Sequence, residues 1–104
     1  MRRGEVWLVN LDPTVGSEVK KTRPAIIVSP DELNEHLNTA IIVPLTTGRA
    51  YAFRVPTKVQ GKPGVAALDQ IRTVDKRRMV RRLASLDRVT SQRVFGGLAE
   101  LFAN

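Results

Sequence analysis

The sequence contains no cysteine and only one histidine, and these two shortages remove whole classes of site. Without cysteine there is no disulfide and no thiolate metal ligand. His36 has no second histidine or carboxylate at ligand spacing, so we read it as a surface residue and expect no metal. One histidine also excludes acid–base catalysis by a histidine pair, and no serine triad is indicated. No glycine-rich loop precedes a helix, so we expect no cofactor.

Long hydrophobic runs are also missing. The apolar run 25–28 is far shorter than the roughly 20 residues that a membrane-spanning helix needs, so no membrane association is expected. Met1-Arg2-Arg3 is followed by Gly4-Glu5 and not by the apolar region of a secretion signal. Together with the absence of cysteine, this favours a cytoplasmic location.

Acidic residues are scarce relative to basic ones. The 104 residues include 17 Lys and Arg but only 10 Asp and Glu, a formal charge of +7. This length predicts one domain, residues 1–104. A small basic domain favours polyanionic partners, of which nucleic acid is the commonest. Solubility or an acidic protein partner would explain the charge equally well.

Most of the chain alternates apolar segments with turn residues, which is typical of short β-strands. Segment 5–9 is rich in β-branched and aromatic residues, and Asp12-Pro13 ends it. Continuous apolar runs indicate strands buried on both faces, and 60–64 is predicted to be a turn. Strands are predicted over 5–9, 25–28, 40–45, 52–55, 65–68 and 71–74.

Two segments have helical features. Segment 30–37 starts with proline and acids and has leucines four apart, so we expect a short helix opening at Ser29. Near the C-terminus we expect a helix capped by Thr90, with Gly96 and Gly97 packed closely against the sheet. Its predicted apolar stripe is Val94, Leu98, Leu101 and Phe102. This pattern predicts a mainly β fold, a small, strongly bent sheet or partly open barrel with a short inserted helix and a C-terminal helix.

A few polar residues lie at predicted strand ends, where side chains can form a site. Arg23 is held in extended geometry by the proline that follows it. Thr46 and Thr47 follow a buried strand, and Asp69 interrupts two apolar segments. Each has an ordinary structural explanation: Arg23 could pair with Glu18, the threonines could be β formers, and Asp69 could form a turn. The residues alone leave these alternatives open.

Taken together, these segments resemble the MazF/PemK toxins of toxin–antitoxin systems. The resemblance covers essentially the whole chain, in order and spacing. It rests on Arg3-Gly4-Glu5-Val6-Trp7-Leu8-Val9, Leu11-Asp12-Pro13-Thr14, Gly16-Ser17-Glu18, Arg23-Pro24-Ala25-Ile26-Ile27-Val28-Ser29, Val43-Pro44 with Thr46-Thr47, and Asp69-Gln70-Ile71-Arg72. It implies an SH3-like β-barrel, a homodimer, an acidic MazE-like antitoxin and a sequence-specific, metal-independent endoribonuclease. The expected substrate is single-stranded RNA, chiefly mRNA, whose cleavage stops translation and growth.

The resemblance also implies roles for individual residues. Arg23 matches the family's catalytic arginine and Thr46 its catalytic threonine, and Glu18 matches an acidic loop residue that contributes to activity in some members. A guanidinium suits such a site because it stabilises charge on phosphate oxygens through paired hydrogen bonds. The expected products carry a 2′,3′-cyclic phosphate and a 5′-hydroxyl. Expected RNA-binding residues are Ser17, Lys20, Lys21, Thr47, Arg49, Asp69, Gln70, Arg72 and Arg77.

Two departures from the PemK pattern put the sequence closer to MazF. PemK-like members carry a histidine where this chain has Ser17, and an arginine where it has Ala67. That arginine acts with the aspartate that matches Asp69, so we rank Asp69 as a binding or structural residue.

Two alternatives to a toxin ribonuclease remain. A non-catalytic SH3-like module that binds nucleic acid would explain the charge but not the conjunction of Arg23 and Thr46. A CcdB-like gyrase poison shares the barrel, but its binding to the target depends on a C-terminal tryptophan motif. This chain ends in Leu101-Phe102-Ala103-Asn104 instead.

Overall fold

A computed structural model describes all residues, 1–104, as seven strands and two α-helices. Short 3₁₀ turns at Leu68–Gln70 and Lys76–Arg78 separate the later strands. The elements in chain order are β1 (Glu5–Asn10), β2 (Thr22–Ile27), α1 (Asp31–His36), β3 (Thr39–Thr46), β4 (Arg54–Val59), β5 (Lys62–Ala67), β6 (Arg72–Asp75), β7 (Met79–Ser85) and α2 (Arg88–Leu101). No helix is long and apolar enough to cross a membrane.

The strands form one antiparallel sheet in the order β4-β5-β3-β2-β1-β7. One edge of β3 is shared by two strands, since Thr39 to Ile42 pair with β6 while Leu45 and Thr46 pair with β5. The sheet therefore curls into a half-barrel. The predicted mainly β fold with a short inserted helix and a C-terminal helix is confirmed.

The two central strands are buried on both faces, as their continuous apolar sequences predicted. On β2, Ile26 faces a cluster that includes Val43 of β3 and Val94 of α2. The neighbouring residue Ile27 faces the opposite cluster, together with Ile42 of β3. All five side chains are completely buried. This double burial makes β2 and β3 the rigid centre from which the site residues project.

The C-terminal helix begins and ends differently from the prediction. Asp87, and not Thr90, is the N-cap, because its carboxylate accepts a hydrogen bond from the Thr90 amide at 2.7 Å. Phe102 lies beyond the last helical residue and is 69% exposed, so its assignment to the apolar stripe is wrong. Close packing is confirmed for Gly97 but wrong for Gly96, around which a Cβ would meet nothing within 4 Å.

The hairpin β4–β5 lies later in the chain than predicted. Phe53 has a positive φ of 61°, and the strand begins after it, at Arg54. Gln60 and Gly61 both have positive φ, as a two-residue hairpin turn requires. The predicted turn over 60–64 is therefore too long, because Lys62–Ala67 is already strand.

Three other boundaries differ from the predictions. The second strand starts at Thr22, so Arg23 lies inside it, and the short helix starts at Asp31 with Pro30 as its N-cap. Leu68 belongs to a 3₁₀ turn and not to a strand. Strand β7 was not predicted, because its charged, half-exposed sequence lacks a clear apolar alternation.

Candidate active site

Arg23 and Thr46, which are far apart in the sequence, line the same cleft. Arg23 pairs with Val9 across β1–β2, and Thr46 is the last residue of β3, paired with Val65 of β5. The cleft has a volume of about 360 Å³. Arg23 forms no ion pair, and its Nε donates a hydrogen bond to the Lys20 carbonyl at 3.2 Å. Two of its guanidinium nitrogens are thus left for a ligand.

The cleft is positively charged. Three cationic side chains line it, those of Arg23, Lys62 and Arg81, and no Asp or Glu does. Thr46, Thr47 and the buried Thr57 add hydroxyl groups to the lining. Because no carboxylate neutralises these cations locally, the cleft favours an anionic ligand. We call this site the basic cleft.

Glu18 does not line the basic cleft with Arg23 and Thr46. It lines a second cleft of about 570 Å³ with Ser17, Asp69, Gln70 and Arg72, which we call the loop cleft. The Glu18 carboxylate accepts a hydrogen bond from the Val15 amide at 2.7 Å, within the loop 11–21 that joins β1 to β2. The residues selected from the sequence thus divide between two sites.

Asp69 is bound by an arginine from the neighbouring strand. Arg54 Nε and Nη2 donate to the two carboxylate oxygens of Asp69 at 2.6 and 2.9 Å. This hydrogen-bonded guanidinium lowers the pKa of Asp69, and the carboxylate raises the pKa of Arg54. Arg54 lies directly opposite Ala67 in the β4–β5 register. Asp69, which follows β5, therefore receives a guanidinium from β4, the strand that pairs with β5.

Gln70 and Arg72 hold the loop between β1 and β2. Gln70 Oε1 accepts from the Val19 amide at 2.5 Å, and its Nε2 donates to the Ser17 carbonyl at 3.4 Å. Arg72 Nη1 donates to the Leu11 carbonyl at 3.1 Å. Both side chains, which were expected to bind RNA, form hydrogen bonds with the loop backbone.

The remaining candidates lie at the surface. Lys20, Lys21 and Arg49 are exposed and form no ion pair, whereas Arg77 is bound to Asp75 at 3.0 Å. His36 is exposed, as predicted. No group of three or more His, Asp or Glu side chains is arranged to hold a metal ion.

Sequence reasoning missed Lys62 and Arg81. Arg81 escaped because β7 was not recognised, and its position opposite Leu8 follows only from that strand's pairing with β1. Lys62 escaped because it was assigned to a turn. The two-residue turn signal Gln60-Gly61 could have placed it on a strand.

Comparison with known proteins identifies the family of this chain. The sequence profile of the PemK-like, MazF-like toxins of type II toxin–antitoxin systems matches residues 2–102. The chain is 39% identical to the endoribonuclease PemK of Escherichia coli, over 97% of this chain and 81% of that protein. It is 38% identical to the endoribonuclease MazF of Staphylococcus saprophyticus, over 83% of this chain and 78% of that protein.

Solved structures give the same result. The crystal structure of MazF from Deinococcus radiodurans superposes with a TM-score of 0.86 at 29% identity, covering 97% of this chain and 94% of that one. The MazE–MazF complex from the same organism superposes with a TM-score of 0.79 at 25% identity, covering 99% of this chain and 95% of that one. The chain belongs to the PemK-like, MazF-like toxin family of type II toxin–antitoxin systems.

Proposed function

We propose that this toxin is an endoribonuclease that cuts single-stranded RNA at specific sequences without a metal ion. The observation that carries the proposal is the basic cleft, where Arg23 and Thr46 meet among further cations with no carboxylate present. Two relatives above 35% identity are named endoribonucleases, which supports the same reaction. mRNA is the natural target we favour, so that cleavage halts translation and growth.

In the proposed reaction the ribose 2′-oxygen attacks the adjacent phosphorus, and the bond from phosphorus to the 5′-oxygen breaks. The products carry a 2′,3′-cyclic phosphate and a 5′-hydroxyl. Negative charge accumulates on the non-bridging oxygens, and Arg23 stabilises it with its free guanidinium N–H groups. The Thr46 hydroxyl donates a hydrogen bond to the phosphate or positions the 2′-hydroxyl.

Proton transfer in this scheme does not use a carboxylate or an imidazole of the cleft, since none lines it. Arg23 is a poor base, because a guanidinium stays protonated up to a pKa of about 12 or more. We therefore assign the proton of the 2′-hydroxyl to water or hydroxide, and the proton on the leaving oxygen to water. Glu18 contributes by shaping the loop through its bond to the Val15 amide.

The proposal includes two protein partners. An acidic antitoxin would cover the cations of the basic cleft, as charge complementarity favours, and MazF of Deinococcus radiodurans has been solved with MazE. A second copy of the chain would form a homodimer. Both the toxin and its RNA would be cytoplasmic.

The test compares RNA cleavage in EDTA by the wild type, Arg23→Ala, Arg23→Lys and Thr46→Val. Arg88→Ala, outside both clefts, is a charge-matched control. We expect Arg23→Ala to lose at least about a hundredfold in kcat, as with loss of one transition-state donor. Arg23→Lys should stay strongly impaired, because an ammonium cannot form the paired hydrogen bonds.

Two results would overturn the proposal. Full activity of Arg23→Ala would remove Arg23 from the mechanism. Binding of RNA by the wild type without any cleavage would favour the non-catalytic module instead.

A further inference from the structure

The basic cleft is lined by two cations that the proposed mechanism does not use. Arg81 lies on β7 and Lys62 at the start of β5, and both side chains are exposed. Neither takes part in an ion pair. Two unpaired cations facing one concave site repel each other unless an anion lies between them.

The location of Arg81 distinguishes it more than its lack of an ion pair, since most cationic side chains of this protein form none. Arg82, the next residue on β7, is bound to Glu5 at 2.9 Å. Arg54 and Arg77 also have carboxylate partners. Arg81, by contrast, has no carboxylate among the residues that line its cleft.

Strand pairing fixes the distance between Arg81 and the Arg23 end of the cleft. Leu8 of β1 pairs with Pro24 on one side and with Arg81 on the other. Two strand spacings place the backbone of Arg81 about 10 Å from that of Pro24. Because Arg23 directly precedes Pro24, the two arginines start from strands that are separated by β1, which suits adjacent phosphates of one chain better than a single phosphate.

Lys62 is held beside β7 by the hairpin turn. Gln60 Nε2 donates to the Leu83 carbonyl at 3.1 Å, which joins the β4–β5 hairpin to the strand that carries Arg81. β4 and β7 are the two ends of the sheet order, so this bond links the two edges of the half-barrel at the cleft. The turn thus holds the start of β5, with Lys62, beside the strand that carries Arg81.

We propose that Arg81 and Lys62 bind the phosphates that flank the scissile phosphate. This inference rests on the proposed function and extends it, because it requires the bound substrate to carry phosphates next to the one that is cut. The cleft takes an RNA chain with charged phosphates beside the bond that is cut, and a dinucleotide with a single phosphate leaves Arg81 and Lys62 without a phosphate partner.

The first experiment measures binding of a short RNA that contains the mapped cleavage site and a 2′-deoxyribose at the scissile position, which prevents cleavage. Affinity is followed against salt concentration by fluorescence anisotropy. Loss of one phosphate contact should reduce the slope of log K against log salt by about 0.7 for a single strand. We expect this reduction for Arg81→Ala and for Lys62→Ala.

Matched controls separate a specific contact from loss of net charge. Arg88→Ala and Lys58→Ala remove the same charges from positions outside the basic cleft and should leave the slope unchanged. Arg81→Lys should restore the slope, because it keeps the charge. Slopes for Arg81→Ala and Lys62→Ala equal to those of the controls would overturn the inference.

The second experiment neutralises one flanking phosphate at a time with a methylphosphonate in a cleavable RNA. The wild type should show a raised KM and an unchanged kcat at the contacted positions, and Arg81→Ala should be insensitive at one of them. An Arg81→Ala defect that persists with every flanking phosphate neutral would place Arg81 at the reacting phosphate and refute the assignment. Failure of the wild type to cut any RNA would instead refute the proposed function.

Discussion

The ion pair between Arg54 and Asp69 allows a quantitative test of the structure. Its two hydrogen bonds measure 2.6 and 2.9 Å, and the side chains are 18% and 46% exposed, respectively. Exposed pairs contribute about 0.2 to 1 kcal/mol, and the bidentate geometry places this one near 1 kcal/mol. Solvent screening at the half-exposed carboxylate keeps the contribution from rising further.

The pH dependence of this contribution has a definite sign. Arg54 lowers the pKa of Asp69 in the folded protein, so the pair stabilises the fold above the unfolded pKa of about 3.9. The contribution disappears as the pH falls through the lower, folded pKa. At neutral pH it is fully present.

A double-mutant cycle isolates this coupling. Arg54→Met, Asp69→Asn and the double variant are unfolded in urea at fixed protein concentration, since any oligomer would shift the midpoint. We expect a coupling of about 1 kcal/mol at about pH 7, and nearly zero at about pH 2. A coupling near zero at neutral pH, or one that survives in acid, would refute the reasoning.

Three further predictions concern packing, the loop and the chemistry. The free energy of unfolding of Gly96→Ala should exceed that of Gly97→Ala by about 2 kcal/mol. Both variants gain helix propensity, but only the Cβ added at residue 97 would lie 2.5 Å from Leu68 Cδ1. Equal urea midpoints for the two variants would contradict this. Gln70→Ala should remove the hydrogen bond that the Val19 amide donates to Gln70, and should raise the hydrogen-exchange rate of that amide. Unchanged protection of the Val19 amide would contradict this. Because no carboxylate or imidazole lines the basic cleft, log kcat should rise steadily from about pH 5 to about pH 8. A bell-shaped profile would instead indicate a carboxylate or imidazole base.

Burial decides how much of the fold could be predicted from the sequence. β2 and β3 are buried on both faces, so the buried parts of their sequences are continuous apolar runs that predicted both strands, although β2 starts three residues earlier than predicted, at Thr22. β7 pairs only with β1, and none of its residues is buried, with Val80, Arg81 and Arg82 exposed in succession. A half-exposed strand of this kind carries too little apolar signal to be recognised.

The site was predictable only in part. Arg23 and Thr46 were selected as residues at strand ends and through the family resemblance, and the fold places both in one cleft. The Arg54–Asp69 pair depends on the β4–β5 register, which the two-residue turn sets. Because that turn was assigned too many residues, neither the register nor this partner could be predicted. Arg81 was missed together with its strand.

The most direct test of the proposed chemistry is the structure of the RNA ends formed in EDTA. Polynucleotide kinase labels 5′-hydroxyl ends without prior phosphatase treatment, and mass spectrometry identifies a 2′,3′-cyclic phosphate. We predict both ends with the wild type and neither above background with Arg23→Ala. Fragments with 5′-phosphate ends, or cleavage that stops when EDTA is added, would contradict metal-independent attack by the 2′-oxygen.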